Sequence, residues 1–233
     1  MTRSSRTKAF LAVLIPMATL VMVLPNYLVS APGLYYSPLQ LAFVSAVCLG
    51  LYIAFVLIQT GWHRSYFLPI GQEGAIGHAR PSGGVALASL GMLLVALLSV
   101  VLLAKSLGPA LEAGVQAAGA PLAIVGVIVA AIVLLPETAA AIRSAARRQL
   151  QASINLALGS AIATIGLSVP VVALASFWIG QPLALGISTG ASVLMALGFV
   201  VAIITYGTGR TNLLSGIVHL VLLATYIFTV LAP

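Results

Sequence analysis

Seven stretches of roughly 20 mainly apolar residues follow one another along this chain, each long enough to cross the hydrocarbon core of a bilayer. They fall at about 9–28, 38–60, 84–105, 119–141, 153–177, 185–205 and 212–231. Turn chemistry separates them: APG at 31–33, GHARPSGG at 77–84, SLGP at 106–109, GQP at 180–182 and YGTGR at 206–210. The expected fold class is therefore an all-α integral membrane protein of about seven transmembrane helices.

Composition excludes the alternatives. Of 233 residues 61% are hydrophobic and 6% charged, too few charges to cover a water-exposed surface. The apolar residues come in blocks and not in alternation, which argues against an outer-membrane barrel. The net charge of +7 does not point to nucleic acid, because the basic residues sit singly or in small groups between apolar blocks. MTRSSRTK followed by AFLAVLIPMATLVMVL reads as a first span and not as a signal peptide, since no small-residue cleavage site is evident and further spans follow. The single cysteine, Cys48, lies inside an apolar block and leaves no disulfide framework or CxxC metal pattern.

The charges also orient the chain. With the N-terminus inside, the inside segments hold Arg3, Arg6, Lys8, Arg64, Arg80, Arg143, Arg147, Arg148 and Arg210. The outside segments hold only Lys105. This positive-inside bias predicts a cytoplasmic N-terminus, an outside C-terminus and a location in the cell's inner membrane. The longest polar stretch, 61–83, becomes a cytoplasmic linker between a two-span segment, 1–60, and a five-span segment, 84–233.

Three acids are present: Glu73, Glu112 and Glu137. The first two fall in expected loops. Glu137, in IVLLPETAAAIR, falls in the fourth span, where an ionisable group is costly and marks a functional-site hypothesis. Pro136 cannot donate a backbone hydrogen bond, and a freed carbonyl beside a carboxylate suits a hard cation. The competing reading ends the helix near 136 and pairs an interfacial Glu137 with Arg143. In the fifth span Ser153, Ser160, Thr164 and Ser168 recur at spacings that form one polar stripe on a helix, with Asn155 and Gly159 beside it. The stripe either lines an ion path facing Glu137 or serves helix packing. His219, in the last span, is a candidate proton relay or a structural hydrogen-bonding residue. Gly207–Thr211 is a tight turn and not a phosphate loop, since no strand precedes it and no GK[ST] follows. No Ser-His-Asp, paired-carboxylate or HExxH constellation is present, so an enzyme has no candidate groups. A retinal photoreceptor would need a lysine in the last span, and the only lysines are Lys8 and Lys105.

LLPETAAAIRSAARRQLQASINLALGSAIATIGLSVP resembles the second ion-binding repeat of bacterial calcium/proton antiporters of the cation/proton exchanger family, within the calcium/cation antiporter superfamily. LPNYLVSAPG, HRSYFLPI and GTGRTNLLSGIVHLVLLATYIFTVLAP extend the likeness over essentially the whole chain. The resemblance implies two inverted repeats, each supplying an acidic helix and a partner helix to a central site where cation and protons compete. It makes 84–233 the second repeat unit, a C-terminal portion of such an antiporter, and 1–60 the tail of a first. Glu137 matches the acidic residue and metal ligand, and Pro136 the helix-breaking position. Asn155, Gly159 and Ser160 match the partner helix, and Thr138, Ser153 and Thr164 stand as supporting positions. The first repeat with its own acidic helix has no counterpart here, so a separate chain is the expected partner besides the lipid bilayer, with no nucleic acid. No cofactor is expected. The implied cargo is protons and a cation, Ca2+ first, with Na+ or K+ using similar ligands. The alternative is a non-transporting membrane subunit or an inactive transporter fragment.

Overall fold

The computed structural model describes residues 3–29, 33–62, 82–180, 182–207 and 212–232. Most of the expected linker at 61–83, with Glu73, lies outside them. Among the described residues the chain is helical, and seven helices are long and apolar enough to cross a membrane. They are α1 (Arg3–Ala18), α2 (Pro38–Leu57), α3 (Gly83–Ala117), α4 (Ala123–Ala146), α5 (Leu150–Ile179), α6 (Thr189–Gly207) and α7 (Leu213–Leu231).

Local chemistry sets the helix ends. Ser37 caps α2 through a reciprocal pair with Gln40, and the Ser82 hydroxyl accepts from the Val85 amide to start α3. Gly119 ends α3 in the left-handed region, φ 68°, with the Ala120 amide donating back to the Val115 carbonyl and the Gly119 amide to Gln116. Arg148 does the same for α4 at φ 60°, an unusual position for a residue with a Cβ.

One expectation is corrected, and one competing reading is not met. SLGP at 106–109 is not a break: α3 continues through Pro109 to Ala117, so Glu112 is helical and exposed, not in a loop. The helix also does not end near Pro136, because α4 runs on to Ala146. The physical reason is common to both. In hydrocarbon an unpaired backbone group costs several kcal/mol, so a helix that loses one bond at a proline still beats an open turn.

The chain divides into two compact units, residues 1–69 with 136–226, and residues 70–135 with 227–233. In the second unit α3 exposes nearly all its apolar side chains, as a lipid-facing helix does, and buries Val115. The first unit contains a packed core. Phe10, Leu14, Met17 and Val21 meet Leu41, Val44, Cys48 and Phe55 from α2 and Ile162, Val169 and Ala173 from α5. Phe10 and Phe55 stack edge to face at 5.1 Å.

α1 does not end cleanly. Pro25 cannot donate to the Val21 carbonyl, and the chain widens into a π turn, Thr19–Val23, before a tight 3-10 turn, Leu24–Tyr27. The Leu24 amide reaches back to Thr19, which leaves the Leu20 carbonyl free, and the buried Tyr36 hydroxyl donates to it. Tyr36→Phe should destabilise the chain by about 1–3 kcal/mol in a detergent thermal melt, because it orphans that carbonyl. Burial, with Cys48 adding to it, pushes the Tyr36 phenol up to about 12 from 10.0. The folded pKa exceeds the unfolded one, so the stabilisation is intact below pH 10 and is lost as pH rises from there towards about 12. Phenolate absorbance should show a last titration step in this range that Tyr36→Phe removes.

Candidate functional site

Glu137 sits in α4 one residue past Pro136, half-buried. Pro136 leaves the Ile132 carbonyl without its helical donor, so a freed backbone oxygen lies one turn from the carboxylate. The carboxylate itself is under-partnered: its Oε2 is buried and accepts no hydrogen bond among the described residues. Arg143, Arg147 and Arg148 are exposed and none of them pairs with it, so the interfacial ion pair with Arg143 considered above is not seen among the described residues. A buried oxygen without a donor is unusual and asks for a proton or a cation. No cluster of three His, Cys, Asp or Glu side chains occurs among the described residues, so any cation held here would rely on neutral oxygens as well.

α5 has two distinct faces. Gly159, Ile162, Gly166, Val169 and Ala173 recur at spacings of 3 and 4, and they form the seam that packs on α1 and α2. At Gly166 a Cβ would meet Tyr52 Cβ at 2.6 Å and Met17 Cε at 3.2 Å, so only glycine lets the helices approach this closely. Ser153, Ser160, Thr164 and Ser168 lie on the opposite side of the helix, roughly 180° from the seam at about 100° per residue. Ser153 and Ser160 are half-buried, and Thr164 and Ser168 are exposed. The stripe is thus not what packs α5 into the core. Ser168 donates to the Thr164 carbonyl, a bond within the helix.

Not every expected site residue joins the stripe. Asn155 falls near the seam side, roughly 140° from Ser160 by the same helical geometry. Its Oδ1 accepts from Gln151 Nε2 at 2.9 Å. Gly159 faces Phe10. Thr138, next to Glu137, is exposed. No hydrogen bond joins Glu137 to Asn155, Ser160 or the other stripe hydroxyls among the described residues.

His219, on α7, is half-buried. Its Nδ1 lies 2.8 Å from the Ser215 carbonyl, which can only accept, so Nδ1 carries the proton and Nε2 is the bare nitrogen of the neutral ring. That Nε2 is buried and has no partner among the described residues, and the Tyr206 ring of α6 stands 6.1 Å away, centroid to centroid. The sequence reading missed a further polar residue. Asn26, in the tight turn after α1, bonds to the segment preceding α6, and only the proline before it hinted at irregular backbone there.

Among the described residues, seven membrane-length helices and an unpaired carboxylate in one of them are features of an ion-transporting membrane protein. The chain belongs to the sodium/calcium exchanger protein family, whose model matches residues 88–232. It is 41% identical over 229 residues to the proposed ionic transporter y4hA of Sinorhizobium fredii, covering 97% of this chain and 61% of that protein. It is 34% identical to the sodium-potassium/proton antiporter ChaA of Escherichia coli, covering 97% and 62%. The chain therefore spans about three-fifths of the length of the curated relatives it matches. No solved structure matches it.

Proposed function

We propose that this chain takes part in exchange of a hard cation for protons across the membrane, with Glu137 as the carboxylate for which the two compete. The observation that carries this reading is the buried Oε2 of Glu137, which has no hydrogen-bond partner among the described residues of a membrane-length helix. The helical register adds support. Glu137 lies nine residues before the end of α4 and Ser160 ten residues after the start of α5, on either side of a three-residue turn. Each is about 15 Å along its helix from that turn, so an antiparallel pair would bring them to one depth. Ser160 with Ser153 and Thr164 then offers hydroxyl oxygens on a face the core leaves free.

Ca2+ is the first cation to try, because one carboxylate with hydroxyl and carbonyl oxygens suits it. Na+ and K+ stand beside it, since the Escherichia coli relative is named for both. His219 would relay protons through its bare Nε2. On this reading residues 84–233 supply one half of the ion site. The distribution of basic residues supports a cytoplasmic N-terminus, and an inner-membrane location goes with this reading.

Thermal unfolding of the purified chain in detergent, titrated with Ca2+, Na+ and K+, tests the reading. One of these cations at about 100 times its Kd should stabilise the chain by about 2.7 kcal/mol. The gain should shrink at lower pH and vanish in Glu137→Gln. Equal stabilisation of both forms, or of neither, would favour a non-transporting subunit.

A further inference from the structure

The turn between α4 and α5 carries three arginines in six residues, Arg143, Arg147 and Arg148, and the exchange reading uses none of them. α4 closes there on backbone hydrogen bonds. The Arg147 amide donates to the Arg143 carbonyl at 3.1 Å, the Arg148 amide to Ala145 at 2.9 Å and the Gln149 amide to Ser144 at 2.9 Å. These end carbonyls are satisfied without any side chain, so the guanidinium groups are not needed as caps. All three arginine side chains are exposed, and none has an ion pair or hydrogen bond among the described residues. Two features of the turn cost stability with no compensating contact there. Arg143 and Arg147 stand four apart on one face of α4, where like charges repel. Arg148 takes φ 60°, which glycine adopts freely and a residue with a Cβ does not.

An anion beside the guanidinium groups would offset the repulsion, and the surroundings say what kind. Ile142 and Leu150 flank the arginines in the chain and are exposed, at 63% and 55%, and Leu156 on α5 is exposed as well. A soluble phosphate or a nucleic acid would match the charges and leave these apolar side chains in water. A phospholipid with a net negative headgroup matches both, with its phosphate at the arginines and its acyl chains along the apolar surface.

We propose that the α4–α5 turn is a binding site for an anionic phospholipid, whose phosphate is held by Arg143, Arg147 and Arg148 and whose acyl chains lie on Ile142 and Leu150. Arg143 and Arg147 are about 6 Å apart along the helix axis, a separation that two long side chains close easily around one headgroup. Arginine suits the role, because its planar fork pairs with phosphate oxygens two at a time. Arg148 occupies its position for its charge and not for closing the helix, which glycine would do at lower cost. The observed left-handed arginine is thus retained for binding.

Lipid-dependent melting of the purified chain in a neutral detergent tests the site. Phosphatidylglycerol should raise the melting temperature of the natural chain, and phosphatidylcholine or inorganic phosphate at the same concentration should not. Arg148→Gly should lower the apparent affinity for phosphatidylglycerol about fivefold, and Arg143→Gln with Arg147→Gln about 25-fold. Without lipid, Arg148→Gly should melt no lower than the natural chain, so that its lost affinity is not a loss of fold. Replacing Arg3, Arg6 and Arg64 by Gln removes three charges elsewhere and should leave the affinity nearly unchanged. Four results would each overturn the site: equal stabilisation by phosphatidylglycerol and phosphatidylcholine, equal stabilisation by inorganic phosphate, full affinity in Arg148→Gly, or an equal loss when the three distant arginines are replaced.

Discussion

Leucine at Gly166 should prevent α5 from seating against α1 and α2 and leave the chain aggregated or unfolded when extracted in detergent. The contact leaves no other outcome. Tyr52 Cβ stands 2.6 Å from the position a Cβ would take, and that atom is fixed to the α2 backbone. Met17 Cε, at 3.2 Å, is the end of a flexible side chain and can yield, but it is enclosed in the core with Phe10 and Ile162. Even alanine should cost about 1–3 kcal/mol as an overpacking substitution. Two controls separate this from a general intolerance of the helices to larger residues. Gly159→Ala should be mild, since its nearest neighbour would be Phe10 Cε1 at 3.6 Å, and Gly198→Ala should be neutral, since nothing lies within 4 Å. Melting temperature and the monodisperse fraction on size exclusion should rank the three as Gly166, Gly159, Gly198 from worst to best.

The second large effect falls on Glu137. Glu137→Gln keeps the side chain's length and volume but removes the charge and, on the proposed reading, the group for which cation and protons compete. A cation that has lost its one charged ligand in a low-dielectric site loses about 3 kcal/mol or more, roughly 100-fold in occupancy. Exchange should fall by that factor. Folding should not suffer, because Oε2 accepts no hydrogen bond among the described residues and no ion pair is broken there. A variant that folds normally, binds no cation and moves no protons would separate Glu137 from the packing residues. Glu137→Asp should retain part of the activity, since it keeps the charge and shortens its reach.

The spans were legible because length and apolarity suffice for a membrane helix, and all seven expected stretches correspond to helices. Their ends were less legible. Gly108 and Pro109 carry turn chemistry in water, yet α3 passes through them, since an open turn in hydrocarbon leaves backbone groups unpaired. Pro136 left two readings of α4 open, and the helix runs through it as the seven-span reading expected. Arg148 closes α4 in a conformation that sequence reserves for glycine. The α5 stripe followed from spacing alone, but which face of α5 packs did not. Small residues surround that helix, and only the partners on α1 and α2 reveal that Gly159, Gly166 and Ala173 form the seam. Asn155 showed the limit of reading by proximity in sequence: five residues from Ser160, it falls on another side. The tie that Asn26 makes to the segment before α6 was invisible because its hydrogen-bond partner is 161 residues away.

Proton flux is the most direct test of the central claim. Everted vesicles holding the chain would be acidified and then given Ca2+, Na+ or K+ in turn. The account predicts cation-driven proton efflux with the natural chain and a loss of roughly 100-fold with Glu137→Gln at equal protein in the membrane. Flux of equal size from both forms, or none from the natural chain with any of the three cations, would contradict it.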